Sequence, residues 1–349
     1  MEVLDNKCPA CGAKIEFNPK NQMWDCEYCG SKFTLEDMQK YKNASTIEAN
    51  QVKKKQIKTG KLGLDIYHCK NCGAEVMADE TTTATFCVYC GSTAILKDRI
   101  EMGEIPTKII PFKKVKEDAI SAFKNLAKGK PLMPKLFNQE ENIKKITGVY
   151  IPFWIYDLNV VGDVCFNSSD VRTWSDYDYR YVETRRFLSE VHTDLKFSGI
   201  LVDGSSRFND DLMDSLEPFQ YNELVPYNHA YLSGFLAEKY DVSSDKAIER
   251  ASNRAMNSSV DISKEQIHHQ NVILANNNLA VTEMDHDYIL LPVWMVNIQY
   301  KEQNYTFAMN GQTGEIVGDI PIDVPKAIGY FLVMLVTFTI LFFLIGWFL

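Results

Sequence analysis

The eight residues Ile151-Pro152-Phe153-Trp154-Ile155-Tyr156-Asp157-Leu158 return as Leu291-Pro292-Val293-Trp294-Met295-Val296-Asn297-Ile298. Proline at the first position of a strand sacrifices no ladder hydrogen bond. From there Trp154, Tyr156 and Leu158 fall on one face at period two, as do Trp294, Val296 and Ile298. Both tryptophans are expected to anchor one core, because aromatics at strand period ordinarily pack against neighbours and only seldom box a ligand.

Upstream of each segment the same order of elements is legible. IIPFK (109–113) is extended and leads into VKEDAISAFKNLAKG, where Ala119, Ala122, Phe123 and Leu126 share a helical face and Gly129 is a stop signal. In the second half YLSGFL (231–236) leads into SSDKAIERASNRAMNS, with Ala247, Ile248, Ala251 and Ala255 on one face. An internal duplication is therefore predicted, with halves at about 105–165 and 228–320 inside a body spanning 99–325. Between the halves, YDYRYVETRRF sets Tyr177, Tyr179 and Tyr181 at strand period, and VHTDLKF continues it with Val191, Leu195 and Phe197, which predicts a long antiparallel hairpin. A second hairpin is predicted around Asn310-Gly311-Gln312-Thr313-Gly314. The fold class expected is α+β, mostly antiparallel.

Eight of the nine cysteines precede this body in two copies of one spacing: Cys8, Cys11, Cys26 and Cys29, then Cys69, Cys72, Cys87 and Cys90, with fourteen residues between the pairs of each copy. Each pair lies in a CxxCG knuckle, and the glycine suits a turn that needs positive φ. Four thiolates at ~2.3 Å satisfy a tetrahedral Zn²⁺ and leave no position open for water or substrate, so two structural zinc sites are predicted. An iron site of the rubredoxin kind and a thiol redox pair are the other readings of such a cluster. The modules are expected at 1–42 and 66–98, joined by a polar, Lys-rich linker at 43–65. MEVLDNKC has no apolar run behind a basic start, which points to a reducing compartment where cysteines bind metal in preference to forming disulfides.

Residues 327–349, AIGYFLVMLVTFTILFFLIGWFL, contain no charge and no strongly polar side chain. As a helix this segment reaches about 34 Å, enough for a hydrocarbon layer of roughly 30 Å. Tyr330 and Trp347 sit near its ends as interfacial aromatics, and Lys326 flanks it. A span this close to the last residue is expected to leave the ribosome only after the preceding residues are in the cytoplasm, so a single-pass protein of the cell membrane with its N-terminal bulk inside is predicted.

The net charge is −9, with 24 Lys/Arg against 19 Asp/Glu in residues 1–150 and 13 against 27 in 151–349. The larger part is acidic, and the first cysteine module has six lysines against seven acids, so the basic surface that phosphate backbones require is lacking. Lys53–Lys55 and Lys113, Lys114 and Lys116 suit nucleic-acid phosphate or anionic lipid, although lysine runs are ordinarily solvated surface. The chain has no GxxxxGK[ST], HExxH or GxSxG, which removes the usual phosphate cradle and nucleophile elbow. Cys165, in GDVCF, reads as a small core residue, with a thiol-imidazole pair as its catalytic alternative. NDDLMDSLE and EMDHDY read as a helix face and a loop, and His268, His269 and His286 fit no metal spacing.

The two CxxCG modules, GVYIPFWIYD, LPVW, NGQTGEIVG and the terminal apolar segment together resemble a bacterial family of zinc-ribbon membrane proteins, the YdjG type, catalogued as TFIIB-type zinc-ribbon proteins. The likeness covers most of the chain. It implies a non-enzymatic membrane anchor that holds a cytoplasmic SPFH (stomatin-like) partner and connects to envelope stress, with metal binding on the eight cysteines named above. Two functions of different class follow: a membrane-tethered adaptor that recruits a cytosolic protein, and a nucleic-acid-binding regulator held at the membrane by its zinc ribbons.

Overall fold

Residues 7–40, 64–69, 75–79, 87, 95–98 and 105–348 are described by the structure, a computed structural model. The first cysteine module forms a three-stranded antiparallel sheet of β1 (Glu16–Asn18), β2 (Met23–Asp25) and β3 (Lys32–Phe33). The second contributes β4 (Leu64–Cys69), β5 (Glu75–Asp79) and β6 (Ile95–Asp98). The body comprises β7 (Lys108–Ile109), helix α1 (Lys116–Lys128), β8 (Thr147–Ser175), β9 (Arg180–Asp203), β10 (Val225–Pro226), β11 (Leu236–Glu238), helix α2 (Ser244–Glu265), β12 (Asn271–Tyr300), β13 (Gln303–Asn310) and β14 (Ile316–Gly318). Helix α3 (Val324–Phe348) follows. The expected linker falls mostly outside the described residues, and β4 begins two residues inside its expected end.

The Pro-Trp segments are the centre of the fold. Strands β8 and β12 run antiparallel with Ile151 opposite Leu291, so that Phe153 faces Ile289 and Val149 faces Val293 on either side of that pair. Each half lends its short first strand to the other: β7 lies parallel to β12 at Ile289 and Leu290, and β11 lies parallel to β8 at Val149 and Tyr150. Beyond the proline each long strand takes a new neighbour, β9 on β8 from Phe153 and β13 on β12 from Val293. The backbone N–H of Gly204 donates to Pro152 O and that of Gly311 to Pro292 O, both at 2.8 Å. The Trp154 indole N–H reaches Val242 O (2.8 Å) and that of Trp294 reaches Lys114 O (2.9 Å), each carbonyl lying in the turn before a helix. The halves are thus related by an approximate twofold axis between Ile151 and Leu291, and α+β with mostly antiparallel pairing describes the fold of these residues.

Side-chain alternation divides the core between the sheet's faces. Trp154, Tyr156, Leu158, Trp294, Val296 and Ile298 pack with α1 and α2, whereas Phe153, Ile151, Leu291 and Val293 pack on the other side with Met213, Leu216 and Phe219. Helix α1 buries Ala119, Phe123 and Ala127, with Ala122 and Leu126 half-buried beside them. Helix α2 extends well beyond the expected SSDKAIERASNRAMNS. Its buried stripe is Ala247, Ala251, Ala255, Ser259 and Ser263, and the last two hydroxyls return to the carbonyls four residues back at 2.8 and 2.7 Å. Serines bonded in this way bury as small residues and let the helix lie close to the strands.

Two expectations are corrected. YDYRYVETRRF and VHTDLKF are not two arms of one hairpin: β9 runs from Arg180 in the first through the whole of the second and pairs with β8, Trp174 facing Tyr181 and Val160 facing Leu195. The turn lies at Asp176–Tyr179, where the Asp176 carboxylate accepts the backbone N–H groups of Asp178 (3.1 Å) and Tyr179 (2.9 Å). No Gly or Pro interrupts 180–197, so nothing there turns the chain. EMDHDY is likewise no loop but part of β12, which absorbs it with a register shift between Glu283 and Asp285.

NGQTG does turn the chain from β13 to β14, and it is also a buried clasp. Asn310 donates to Leu216 O (2.9 Å) while its own Oδ1 accepts the N–H groups of Gln312 and Thr313. A Cβ on Gly311 would lie 2.7 Å from the Phe112 ring and 2.9 Å from Pro292, and Phe112 is itself stacked on Phe235 at 4.1 Å. Its twofold counterpart Gly204 meets nothing closer than 3.2 Å. Gly311→Ala is therefore expected to destabilise the body by about 2–3 kcal/mol and Gly204→Ala by clearly less. Thermal unfolding of the two full-length variants in the same detergent checks this, and equal losses would contradict it.

Candidate metal centre

Two short turns bring four sulfurs together. In the first knuckle Cys8 N–H donates to Ala13 O (2.7 Å) and Gly12 N–H to Cys8 O (2.8 Å); in the second Cys26 N–H donates to Ser31 O and Gly30 N–H to Cys26 O, both at 2.9 Å. Gly12 and Gly30 adopt φ of 73° and 71°, the conformation that the repeated CxxCG predicts. The thiols of Cys8, Cys11, Cys26 and Cys29 all lie within 4.8 Å of one another, and they are the one such group of His, Cys, Asp or Glu among the described residues. Sγ–Sγ separations are 3.5 Å for Cys8–Cys29 and 3.6 Å for Cys11–Cys26. A tetrahedral ion with bonds of ~2.3 Å requires sulfurs about 3.8 Å apart, so the donor set fits a four-coordinate metal ion.

The protons of these thiols are unevenly held. The hydroxyl and the backbone N–H of Ser31 bring the Cys29 thiol down to about 6. At Cys11 the Ala13 backbone N–H acts in the same direction, but lost solvation and hydrogen bonds to the other three sulfurs outweigh it and push the thiol up to about 12. Four sulfurs this close resist becoming thiolates together, and a bound cation is what relieves them. A tetrahedral ion held by all four sulfurs would keep no coordination position open for water or substrate.

In the second module Cys69 and Cys87 are both buried, whereas Cys72 and Cys90 lie outside the described residues. Its strands order as β5-β4-β6, and β5 pairs antiparallel with β11 through Met77–Ala237 and Val76–Glu238. The body sheet therefore continues into this module.

The first module is docked on the body by side chains that the cysteine spacing does not reveal. Phe17 and Trp24, on the hairpin between the knuckles, pack around Tyr231 with ring centroids 5.3 Å away in each case. The Trp24 indole donates to Ala230 O (3.0 Å), Ser233 Oγ donates to Ile15 O (2.6 Å), and Gln22 Nε2 donates to Phe112 O (2.8 Å). Phe17 and Trp24 face each other across the hairpin; of the residues receiving the module, Tyr231 and Ser233 belong to YLSGFL, whose first two residues end a helical turn at His229–Leu232 and whose last begins β11.

A Bacillus subtilis (strain 168) protein, YdjG, is 36% identical over 334 residues, which are 94% of this chain and 93% of the relative. The chain belongs to the YdjG family. No family model matches it, and no solved structure does. In this YdjG-family chain three of the six histidines are tied to carboxylates: His269 Nδ1 lies 2.9 Å from Asp170, His286 Nδ1 2.6 Å from Glu283, and His192 Nδ1 2.7 Å from Asp163. Cys165 is half-buried in β8. Val164 and Phe166 on either side of it are fully buried, so alternation turns the thiol away from the core that the sequence reading assigned to it. Asp203, buried opposite Phe153, meets Arg250 at 2.6 Å, and Arg254 meets Glu217 at 3.0 Å. The first pair fastens α2 to the end of β9 and the second to the acidic 210–217 segment.

Proposed function

We propose that this protein is a non-enzymatic, membrane-anchored zinc-ribbon adaptor that recruits a cytoplasmic protein to the bacterial cell membrane. The observation carrying the reading is helix α3: Val324–Ile345 is long and apolar enough to cross a membrane and none of it is buried against the rest of the chain. An apolar helix that packs on nothing in its own protein has a lipid environment as its natural solvent. The four-cysteine cluster supports Zn²⁺ as the structural ion, with the second module holding another through Cys69, Cys72, Cys87 and Cys90. The body and both ribbons face the cytoplasm in this reading, where thiols stay reduced. By the family resemblance, the partner is an SPFH (stomatin-like) protein of the envelope-stress response.

The test is crosslinking in intact cells followed by detergent purification and mass spectrometry of full-length protein and of a chain ending at Asp323. The adaptor predicts one cytosolic partner enriched with both chains but found in the membrane fraction only with the full-length protein. A partner that reaches the membrane equally without α3 overturns the reading, as does co-purification of nucleic acid that is released steeply between low and physiological salt.

A further inference from the structure

Helix α3 is not attached by a loose tether. The Asp323 backbone N–H donates to Leu132 O at 2.8 Å, and three residues on Lys326 Nζ donates to Met133 O at 2.6 Å. The loop at 128–135, which joins α1 to the next helical turn, is thereby bonded on both sides of the first helical residues. Because the uncharged segment begins immediately after Lys326, that ammonium marks the boundary between hydrocarbon and headgroups. The polar layer beyond the hydrocarbon is roughly 5–7 Å thick on each side. A carbonyl 2.6 Å from the Lys326 ammonium therefore lies within it, and so does the loop carrying that carbonyl.

The composition of the loop suits this position. Residues 119–139 contain Lys124, Lys128, Lys130 and Lys135 and no acid, in a chain of net charge −9. Lys128, Lys130 and Lys135 are exposed. The stem adds Asp319 and Asp323, but Asp323 is turned toward Lys326 at 4.0 Å. Apolar Ile322 and Val324 are exposed beside the loop, at 60% and 55%. Exposed lysines in a loop bonded to the start of a membrane span are the arrangement that anionic headgroups recognise.

We propose that the 128–135 loop is a membrane-seating surface that binds the headgroups of anionic lipid in the bilayer crossed by α3, fixing the body in one orientation on the membrane. The proposal rests on α3 spanning a bilayer and is independent of which protein the body recruits. Each lysine near an anionic surface is worth roughly fivefold in binding, so three together amount to about a hundredfold preference for a charged bilayer.

Full-length protein reconstituted into nanodiscs of phosphatidylcholine alone, or of phosphatidylcholine with phosphatidylglycerol, tests this by amide hydrogen exchange. Exchange across 128–135 is expected to slow at least tenfold in the anionic discs, and the difference to vanish in the Lys128→Gln/Lys130→Gln/Lys135→Gln variant. Exchange in β8 and β12 reports that the variant is folded. Incorporation into discs with the same loop exchange in both lipids overturns the seating surface and leaves the spanning helix standing. Failure of the chain to incorporate at all overturns both.

Discussion

Cys26→Ser is expected to lower the metal content by one ion per chain and to release the first module from the body. Two effects combine in that outcome. The sheet β1-β2-β3 contains only eight residues, and in zinc modules of this size the metal supplies ~10–16 kcal/mol of apparent folding free energy. Contacts with the body cannot replace a term that large: burying Phe17 and Trp24 is worth about 3 kcal/mol for each side chain. Once the knuckles open, the hairpin that presents Trp24 to Tyr231 and Ala230 has nothing to hold its register, so the indole, now 1% exposed, enters water. Elemental analysis and the red shift of tryptophan emission measure the two consequences, and Cys165→Ser, outside both cysteine modules, serves as the unchanged reference. A Cys26→Ser protein that keeps its full metal content, or loses the ion without exposing Trp24, would sink the assignment of the cluster as the module's structural centre.

The docking of that module also shows where a sequence stops being legible. Spacing alone locates the cysteines, because a four-cysteine metal site is local: its ligands lie 21 residues apart at most and the knuckles impose their own turns. The Pro-Trp strands are legible for a similar reason, since a period of two marks their faces whatever they pair with; the prolines, expected at the first strand position, instead lie inside β8 and β12, where each long strand exchanges one neighbour for another. What each strand pairs with is a different kind of information. Nothing around IIPFK says that Lys108 and Ile109 will join the strand of the other half, or that β11 will join β8 and β5 together; the first of these and the β11–β8 pairing follow from a twofold arrangement that exists only once both halves are folded. The same holds for the arm. YDYRYVETRRF and VHTDLKF share one periodicity and look like two strands until β8 is seen to be long enough to pair with both, the turn falling at the Asp176 carboxylate. The serine stripe of α2 was hidden for a chemical reason: Ser259 and Ser263 read as polar, but hydroxyls bonded to their own helix bury like alanine.

The twofold axis makes a sharper demand on energetics. Trp154 and Trp294 occupy equivalent places, 1% and 7% exposed, each with its indole N–H on a carbonyl that precedes a helix and each with an aromatic from that same turn at its edge, Tyr240 at 5.4 Å for one and Phe112 at 5.2 Å for the other. Trp154→Ala and Trp294→Ala are each expected to cost about 4 kcal/mol, the usual range for a buried large aromatic, and for a body of this size about 8–16 °C in unfolding temperature. Trp154→Phe keeps most of the packing and leaves Val242 O without its donor, so it is expected to cost about 1–2 kcal/mol. If both tryptophans anchor one core that spans the axis, the double alanine variant removes the two walls of a single cavity region and does not fold cooperatively; if the halves were independent units, each single variant would split the transition in two and leave the other half's melting temperature unchanged. Fluorescence and circular dichroism melts of the full chain in detergent decide between these, and a split transition in either single variant would refute the shared core. The symmetry therefore predicts more than resemblance between halves: because each half's first strand is hydrogen-bonded to the other half's long strand, neither can complete its sheet alone, and damage at one tryptophan must be felt at both.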